Sequence, residues 1–379
     1  MTSRSLQIGL LTSARCWRGS GTSYVQIARG MMSAGHHARL LASAPEIVVT
    51  AVAEGVECTE LPVGHTSLRA ARCLRRAVGD YALDVLVVDR PRDLRQGALA
   101  VWGRPVALVN RFNYAGWRAP RDMFSRMSYR RVDLTVFLTT RGLVRAQQQA
   151  PFMMRRPFIV IPEGVDCDFY RPDPTAGQAF RQRYRLGSGR LLVAVGALEE
   201  EKRYEDLVEA LARVPAPRAV LVLGGKGSQR DRLAAQACRL GIDLQLVGHL
   251  TPSDLVGAYN AATVFVHPSP VETFGLTVLE AMACGRPVIG VGGGGVPEVV
   301  GDAGVIVAPG DPERLAAAIA TLLGDEQKCR VWGTRARTRA VERFGLNRMR
   351  AGYARALELV AAKRWLMGGD MDGRRCFPA

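Results

Sequence analysis

Two glutamates and a run of glycines between His267 and Val300 combine residue types that bind sugars and phosphates. Glu272 follows an apolar run that ends at Val266, and Glu280 lies in the early turns of a helix predicted from Leu276 to Cys284. Carboxylates accept paired hydrogen bonds from neighbouring hydroxyls, which suits a sugar or a ribose. The helix N-terminus at Gly275 offers N–H groups and partial positive charge to oxygen ligands. Each glutamate alone is typical of a solvated side chain, but their combination with Gly292–Gly295 favours a binding site.

Two further segments are candidates for anion binding. Lys202 and Arg203 follow the apolar run Leu191–Val195 and Gly196, where a cation can stabilise charge on a departing phosphate. A solvent-facing cation is the alternative for Lys202. Gly19 and Gly21 follow the first apolar run, and a glycine turn entering a helix is compatible with phosphate, although a simple tight turn is equally consistent.

The elements that must position these residues alternate between apolar runs and helix-length segments. Runs that are apolar throughout are typical of strands buried on both faces, and hence of a parallel sheet covered by helices. The pattern restarts after a polar, proline-containing stretch at 162–174. We predict an α/β protein of two doubly wound domains facing across a cleft, with ligands at the carboxyl ends of the strands. The predicted divisions are 1–170, 171–346, a terminal helix at 347–365 that returns to the first domain, and a tail at 366–379.

The segment E-T-F-G-L-T-V-L-E-A-M-A-C-G-R-P-V-I resembles the E-x7-E signature of the family-four glycosyltransferases. Further stretches are also similar, including I-P-E-G-V-D-C-D-F-Y-R-P and V-G-A-L-E-E-E-K. The resemblance is dense in the second half of the chain and thin in the first. It implies a GT-B fold and a retaining transferase that uses a nucleotide-diphosphate-sugar as donor. It also implies that Glu272 contacts the donor sugar, that Glu280 holds the ribose, and that the amides of Phe274, Gly275, Leu276 and Thr277 reach sugar and phosphate.

The chain departs from the family pattern at two positions. The family usually has an arginine at the position of Ala197, which leaves Lys202 as the diphosphate-binding cation, with Arg203 as its substitute partner. A histidine is frequent after the strand that corresponds to Val106–Val109, where this chain has Asn110 and Arg111. We therefore expect Asn110 and Arg111, with Gly19 and Gly21, on the acceptor side.

Composition narrows the class of protein. The 379 residues carry 51 Lys and Arg against 35 Asp and Glu, a net charge of +16, which attracts nucleic acid, anionic lipid or phosphorylated substrates. No nucleic-acid-binding motif accompanies the charge, so nucleic acid is the weakest of the three. No apolar run reaches the ~18 residues of a spanning helix. The eight cysteines show no metal-ligand spacing, which favours reduced thiols and a cytoplasmic location.

Three weaker signals remain open. Residues 67–78 predict a basic amphipathic helix, with Arg69, Arg72 and Arg76 on one face and Leu68, Ala71 and Leu74 on another. Such a helix can rest on the inner, anionic face of a membrane, although a solvated face is the simpler interpretation. The D-x-D at 166–168 is a weak candidate for a metal site, and we expect neither metal nor cofactor. His267 is interpreted as a structural histidine.

Together these features predict a metal-independent, retaining glycosyltransferase that moves a sugar from a nucleotide-sugar to a small-molecule, glycan or lipid-linked hydroxyl acceptor. Lys202 and Glu272 are the predicted catalytic residues. One alternative is a sugar-nucleotide isomerase or hydrolase of the same fold. Another is a non-catalytic module that binds a nucleotide-sugar.

Overall fold

The computed structural model describes residues 4–17, 19–113, 119, 122–215 and 219–366. Contacts divide the chain into two units, Met1–Gly164 with Leu346–Ala379, and Val165–Gly345. The chain passes between units at these two points, whereas the sequence placed the divisions at 170/171 and 346/347. Most of the predicted tail, residues 367–379, lies outside the described residues.

The first unit is built on a seven-stranded parallel sheet in the order β3-β2-β1-β4-β5-β6-β7. Its strands are β1 Gln7–Thr12, β2 His37–Ala42, β3 Glu57–Glu60, β4 Val85–Val88, β5 Ala107–Phe112, β6 Leu134–Phe137 and β7 Phe158–Val160. Its helices are α1 Gly19–Ser33, α2 Pro45–Ala53, α3 Leu68–Asp80, α4 Pro91–Ala100, α5 Met123–Arg130, α6 Thr140–Gln149 and the terminal α15 Leu346–Leu366, with a 3-10 helix at Pro151–Arg155. The two faces of the sheet carry separate apolar cores, because alternate residues of each strand point to opposite faces.

Helix α15 belongs to this first unit. Its residues Met349, Tyr353, Leu357 and Val360 recur at helical spacing and are buried in one core with residues of α1 and of strands β1, β4 and β5. The apolar spacing predicted a helix here, and the structure extends it by one residue at each end.

The second unit holds a six-stranded parallel sheet in the order β10-β9-β8-β11-β12-β13. Its strands are β8 Leu191–Val195, β9 Val220–Gly224, β10 Leu244–Gly248, β11 Val264–His267, β12 Val288–Val291 and β13 Val305–Val307. Its helices are α7 Pro174–Arg183, α8 Tyr204–Arg213, α9 Arg230–Arg239, α10 Pro252–Ala261, α11 Leu276–Ala283, α12 Val296–Val300, α13 Pro312–Leu323 and α14 Glu326–Phe344, with a 3-10 helix at Glu200–Lys202.

Both sheets are parallel and switch strand order next to their first strand, at β1/β4 and at β8/β11. This doubly wound arrangement confirms the predicted pair of Rossmann-like units. Because strands diverge at such a switch point, the crevice at their carboxyl ends is the place where this architecture binds ligands. In the second unit, the carboxyl ends of β8 and β11 lead to Lys202 and Glu272.

Candidate functional site

The loop after β11 and the 3-10 helix after β8 place a cation against a carboxylate. The Lys202 ammonium lies 2.7 Å from Glu272 Oε2, and the two side chains are only 19% and 24% exposed. The backbone N–H of Thr273 donates to the other oxygen, Oε1, at 3.3 Å. Burial alone would raise the pKa of Glu272, but the Lys202 charge, the nearby His267 and the hydrogen bonds from Lys202 and Thr273 together leave that pKa below its ordinary value. Glu272 is therefore an ionised carboxylate at neutral pH.

His267, the last residue of β11, completes this cluster. Its Nε2 lies 3.6 Å from Glu272 Oε2. That nitrogen is buried, and none of the described residues gives it a hydrogen-bond partner. Burial lowers the pKa of His267 to about 4, so the imidazole is neutral at neutral pH. The sequence suggested a satisfied structural histidine, whereas in the structure the buried Nε2 lies beside the carboxylate without a hydrogen-bond partner among the described residues.

Ser269 connects the loop after β11 to the 3-10 helix that carries Lys202. This fully buried side chain follows β11, and its hydroxyl is 3.2 Å from the carbonyl oxygen of Glu201 and 3.1 Å from that of Val271. A buried hydroxyl that bonds backbone on both sides ties the two loops together. Sequence reasoning missed Ser269 because a serine in a loop gives no signal of its partners.

Helix α11 begins at the same loop. Its N-cap, Gly275, has φ 103° and ψ 58°, and no side chain caps the helix. A side chain is disfavoured there because φ is positive and a Cβ would lie 3.1 Å from Val296. The N–H groups of the first turn, at Leu276 and Thr277, therefore have neither an intrahelical partner nor a capping side chain. Phe274, which precedes the cap, is buried, and its ring lies 5.8 Å edge-on from Phe344. Any ligand contact from Phe274 is thus left to its backbone.

The glycine run before α12 supports the Glu272 loop. A Cβ at Gly293 would overlap the carbonyl of Pro270, and one at Gly294 would overlap the carbonyl of Glu272. The N–H of Gly295 donates to the same Glu272 carbonyl at 3.1 Å. The run therefore allows two backbone segments to pack closely, and in this structure it acts on the site by holding Glu272 in place.

Glu280 has hydrogen-bonding partners that differ from those of Glu272. The Tyr259 hydroxyl donates to Glu280 Oε2 at 2.6 Å, and Tyr170 is a second hydrogen-bonding partner. Burial raises the pKa of Glu280 to about 7, and the two tyrosine hydroxyls offset only part of that effect. The structure thus brings Glu272 together with Lys202 and His267, and brings Glu280 together with two phenols.

Arg203 does not join Lys202 in this structure. It adopts the left-handed conformation, with φ 57°, as the N-cap of α8. Its guanidinium forms a two-point contact with Asp206, at 2.9 and 2.8 Å, and lies 3.2 Å from Glu205. Gly196 lies directly after β8 as predicted, and a Cβ there would approach the Tyr204 hydroxyl to 2.7 Å.

The predicted acceptor residues of the first unit occupy mixed surroundings. Gly19 is exposed at the start of α1, and Gly21 is buried where a Cβ would lie 3.2 Å from the Trp17 ring. Arg111 is fully buried, where it contacts Glu163 and Asp89 and donates to the Tyr353 hydroxyl at 3.1 Å. The expectation that Arg111 faces an acceptor is therefore corrected, because its charge is neutralised inside the core. Asn110 is also fully buried, and among the described residues neither end of its amide has a hydrogen-bond partner.

The structure also describes the surroundings of the D-x-D motif at 166–168 and of the cysteines. Asp166 accepts hydrogen bonds at 3.0 Å from the N–H groups of Asp168 and Phe169, which is a local turn. Within the ranges that the structure describes, no three metal-ligating side chains cluster together, and no helix is long and apolar enough to cross a membrane. None of the seven described cysteines forms a disulfide.

Two Rossmann-like units in one chain, each with a parallel, doubly wound sheet, are characteristic of the GT-B fold of glycosyltransferases. Comparison with known proteins agrees, since residues 178–339 match the family described as Glycosyl transferases group 1. The resemblance predicted from the sequence is thereby confirmed for the second unit. The E-x7-E roles of individual residues stay predictions.

The curated relatives match about half of this chain. A GDP-mannose-dependent alpha-(1-6)-phosphatidylinositol monomannoside mannosyltransferase from Mycolicibacterium smegmatis is 32% identical over 217 residues, which is 54% of this chain and 56% of that protein. A D-inositol 3-phosphate glycosyltransferase from Segniliparus rotundus is 36% identical over 46% of this chain and 41% of its own length. The chain spans about half the length of the curated relatives it matches.

Solved structures share the whole fold. The Anabaena protein HepE in complex with UDP covers 93% of this chain and 100% of its own, with a TM-score of 0.80 at 21% identity. A glycosyltransferase from Rickettsia africae covers 94% and 98%, with a TM-score of 0.83 at 17% identity. At these identities the likeness establishes the fold.

Proposed function

We propose that this protein transfers a sugar from a nucleoside-diphosphate-sugar to a hydroxyl acceptor. The observation that carries the proposal is the cluster of Lys202, Glu272 and His267 beside the uncapped start of α11, at the switch point of the second sheet. In this assignment the diphosphate lies against the first-turn amides and the Lys202 ammonium. The leaving diphosphate gains charge as the sugar departs, and a fixed ammonium stabilises that charge.

The ion pair between Lys202 and Glu272 defines how the donor is received. In this proposal the carboxylate holds the ammonium in the site before a donor arrives, and donor binding exchanges that contact. When the diphosphate attracts Lys202, Glu272 is free to accept hydrogen bonds from sugar hydroxyls, and neutral His267 offers Nε2 to the same sugar. The Glu280 carboxylate, in exchange for its tyrosine contacts, accepts the ribose hydroxyls.

We further propose that the reaction retains the anomeric configuration and requires no metal. In this scheme the incoming hydroxyl attacks from the face that the diphosphate leaves, and a leaving phosphate oxygen takes the hydroxyl proton. Lys202 supplies the positive charge that a metal supplies in other transferases. Nuclear magnetic resonance of the first-formed product reports the anomer, and turnover after EDTA treatment reports any metal requirement.

The central test is a screen of nucleoside-diphosphate-sugars for saturable thermal stabilisation, followed by an acceptor screen with the best donor. We expect Lys202→Met to reduce turnover at least about 100-fold, since it removes transition-state charge stabilisation. The matched control is Lys328→Met, at an exposed lysine of α14 in the same unit. Hydrolysis of the donor at the same rate with and without acceptors would favour the isomerase or hydrolase alternative. Donor binding without turnover would favour the binding module.

We also propose that α3 contacts anionic lipid during acceptor capture. Arg69, Arg72 and Arg76 are exposed on one face, while Ala71 and Leu74 are buried. Leu68, which the sequence placed on the other face with Ala71 and Leu74, is 70% exposed and adds an apolar contact. Co-sedimentation with phosphatidylglycerol vesicles should fall for a triple Arg→Glu variant at these positions. Equal binding by the variant would contradict the proposal.

A further inference from the structure

The second unit contains a large cavity at the edge of its sheet opposite the proposed donor site. Its walls include Arg190, Thr263 and Arg286, which precede β8, β11 and β12. Helices α7 and α14 form its sides, and its volume is about 860 Å³. That volume is in the range of small-molecule sites. In a parallel sheet this edge carries the amino ends of the strands, so the cavity is separate from the Lys202–Glu272 cluster.

The charge of the cavity is strongly one-sided. Five arginines line it against a single glutamate, Glu326; the arginines are Arg181, Arg190, Arg286, Arg330 and Arg337. Arg330 lies 3.5 Å from Glu326. The other four form no ion pair with any carboxylate that the structure describes. The cavity therefore keeps a net positive charge.

The three inner arginines are held in place by neutral partners. Arg181 donates to the carbonyls of Gly187, Gly189 and Ala261, at 2.8 to 3.0 Å. Arg337 donates to the carbonyls of Tyr170, Ala283 and Cys167, at 2.7 to 2.8 Å, and Arg286 donates to the carbonyl of Cys284 at 3.1 Å. Carbonyl oxygens orient a guanidinium without neutralising its charge. Each guanidinium has five N–H donors, so each of these retains at least one for a ligand.

The outer arginines are more exposed, and Glu326 and Gln327, the side-chain partners of Arg330, lie on its own helix. Arg190 is exposed and forms no side-chain hydrogen bond or ion pair that the structure records within its described ranges. Arg330 is 66% exposed at the side of α14. Thr263 accepts a hydrogen bond from the Leu191 N–H at 3.0 Å, which leaves its hydroxyl proton to donate. Oriented inner cations, exposed outer cations and a hydroxyl donor together suit a compact ligand with several anionic oxygens.

We propose that this cavity binds a small molecule that carries two or more phosphate groups. Planar guanidinium groups match phosphate oxygens with paired hydrogen bonds, which makes arginine the residue suited to this recognition. The site is independent of the donor site, and its existence does not depend on the transferase assignment.

The test uses sodium pyrophosphate as the probe, with the full chain at constant ionic strength. We expect saturable thermal stabilisation and calorimetric binding that weaken about tenfold or more in Arg190→Glu, and similarly in Arg330→Ala. Arg239→Glu is the matched control, because Arg239 is an exposed arginine of α9 in the same unit and outside the cavity. Hydrogen exchange should slow in peptides from α7 and from the first half of α14.

Pyrophosphate also resembles a donor diphosphate, so the measurement is repeated in Lys202→Met. Binding that this variant keeps and Arg190→Glu loses supports the cavity site. Binding that Lys202→Met abolishes and Arg190→Glu keeps would place the anion at the donor loop and overturn the proposal. Equal losses in Arg190→Glu and Arg239→Glu would mean a non-specific charge effect and would also overturn it. Donor-binding assays on the same variants report separately on the proposed transferase function.

Discussion

Replacing Glu280 with glutamine should raise the free energy of unfolding of the protein while weakening its binding of the donor. Burial raises the pKa of this carboxyl to about 7 from an ordinary value of 4.5. A protein with such a group binds more protons folded than unfolded between these two values, so its free energy of unfolding falls as pH rises through that window. Glutamine keeps an oxygen that accepts the Tyr259 hydrogen bond and never ionises.

The size of the effect follows from the shift in pKa. Each pKa unit corresponds to about 1.4 kcal/mol, so a shift of this size sets an upper limit of about 3 kcal/mol. The side chain is partly accessible to solvent, which reduces the expected gain to about 1–2 kcal/mol at pH 8. At pH 4 the difference should vanish, because the carboxyl is then protonated in both the folded and unfolded chains.

Urea titrations followed by circular dichroism between pH 4 and pH 8 measure this dependence. The difference between variant and wild type should grow from pH 4.5 to pH 7 and then level off. Glu313→Gln, at an exposed glutamate of the same unit, controls for loss of a surface charge. A difference that stays constant with pH, or an unstable variant at pH 8, would refute the inference that Glu280 is an energetically costly carboxylate. The same variant should bind donor about tenfold more weakly, since an amide accepts fewer hydrogen bonds from a diol.

Two other substitutions test how the site and the first unit are held. Gly294→Ala should weaken donor binding and cost about 2 kcal/mol of stability, because its Cβ would overlap the Glu272 carbonyl. The control is Gly189→Ala, because a Cβ there meets open space. Equal melting temperatures for the two variants would contradict this reasoning. Arg111→Met should cost about 3–5 kcal/mol by leaving Glu163 unpaired in the core, and adding Glu163→Met should recover part of that loss in a denaturant titration. If the double variant is no more stable than Arg111→Met, the buried pair is not what determines stability there.

The strands that carry the site were predictable because their residues are apolar almost throughout. The runs at β8, β11 and β12 are buried on both faces, so each appears as an uninterrupted apolar stretch. Helix α11 could be placed because Gly275 and Gly285 mark its two ends. Strand β3 was not predictable in this way, since it has the sequence E-C-T-E on the sheet edge and shows no apolar run.

The side-chain predictions that differ from the structure concern residues with partners far away in the sequence or with a local ion pair. Arg111 meets Glu163 and Tyr353, which lie 52 and 242 residues away, and no local pattern reveals such a contact. The sequence predicted an acceptor-side position for Arg111, but its charge is neutralised inside the core. The pairing of Arg203 with Asp206 is a contact at i and i+3, and the sequence itself could have suggested it. The unpartnered nitrogen of His267 depends on the surrounding burial, which only the folded chain defines.

The two chain crossings have a practical consequence for engineering. Val165 and Gly345 form a β-bridge, and the Val165 N–H donates to the Phe344 carbonyl at 2.8 Å. In the first unit, Gly164 lies close enough to Leu346 that a Cβ would come within 2.8 Å of its Cα. Each unit therefore has neighbouring ends at its cut points. Residues 165–345 can be excised as one cassette and exchanged for that of a relative, while a linker of a few residues rejoins the remaining chain.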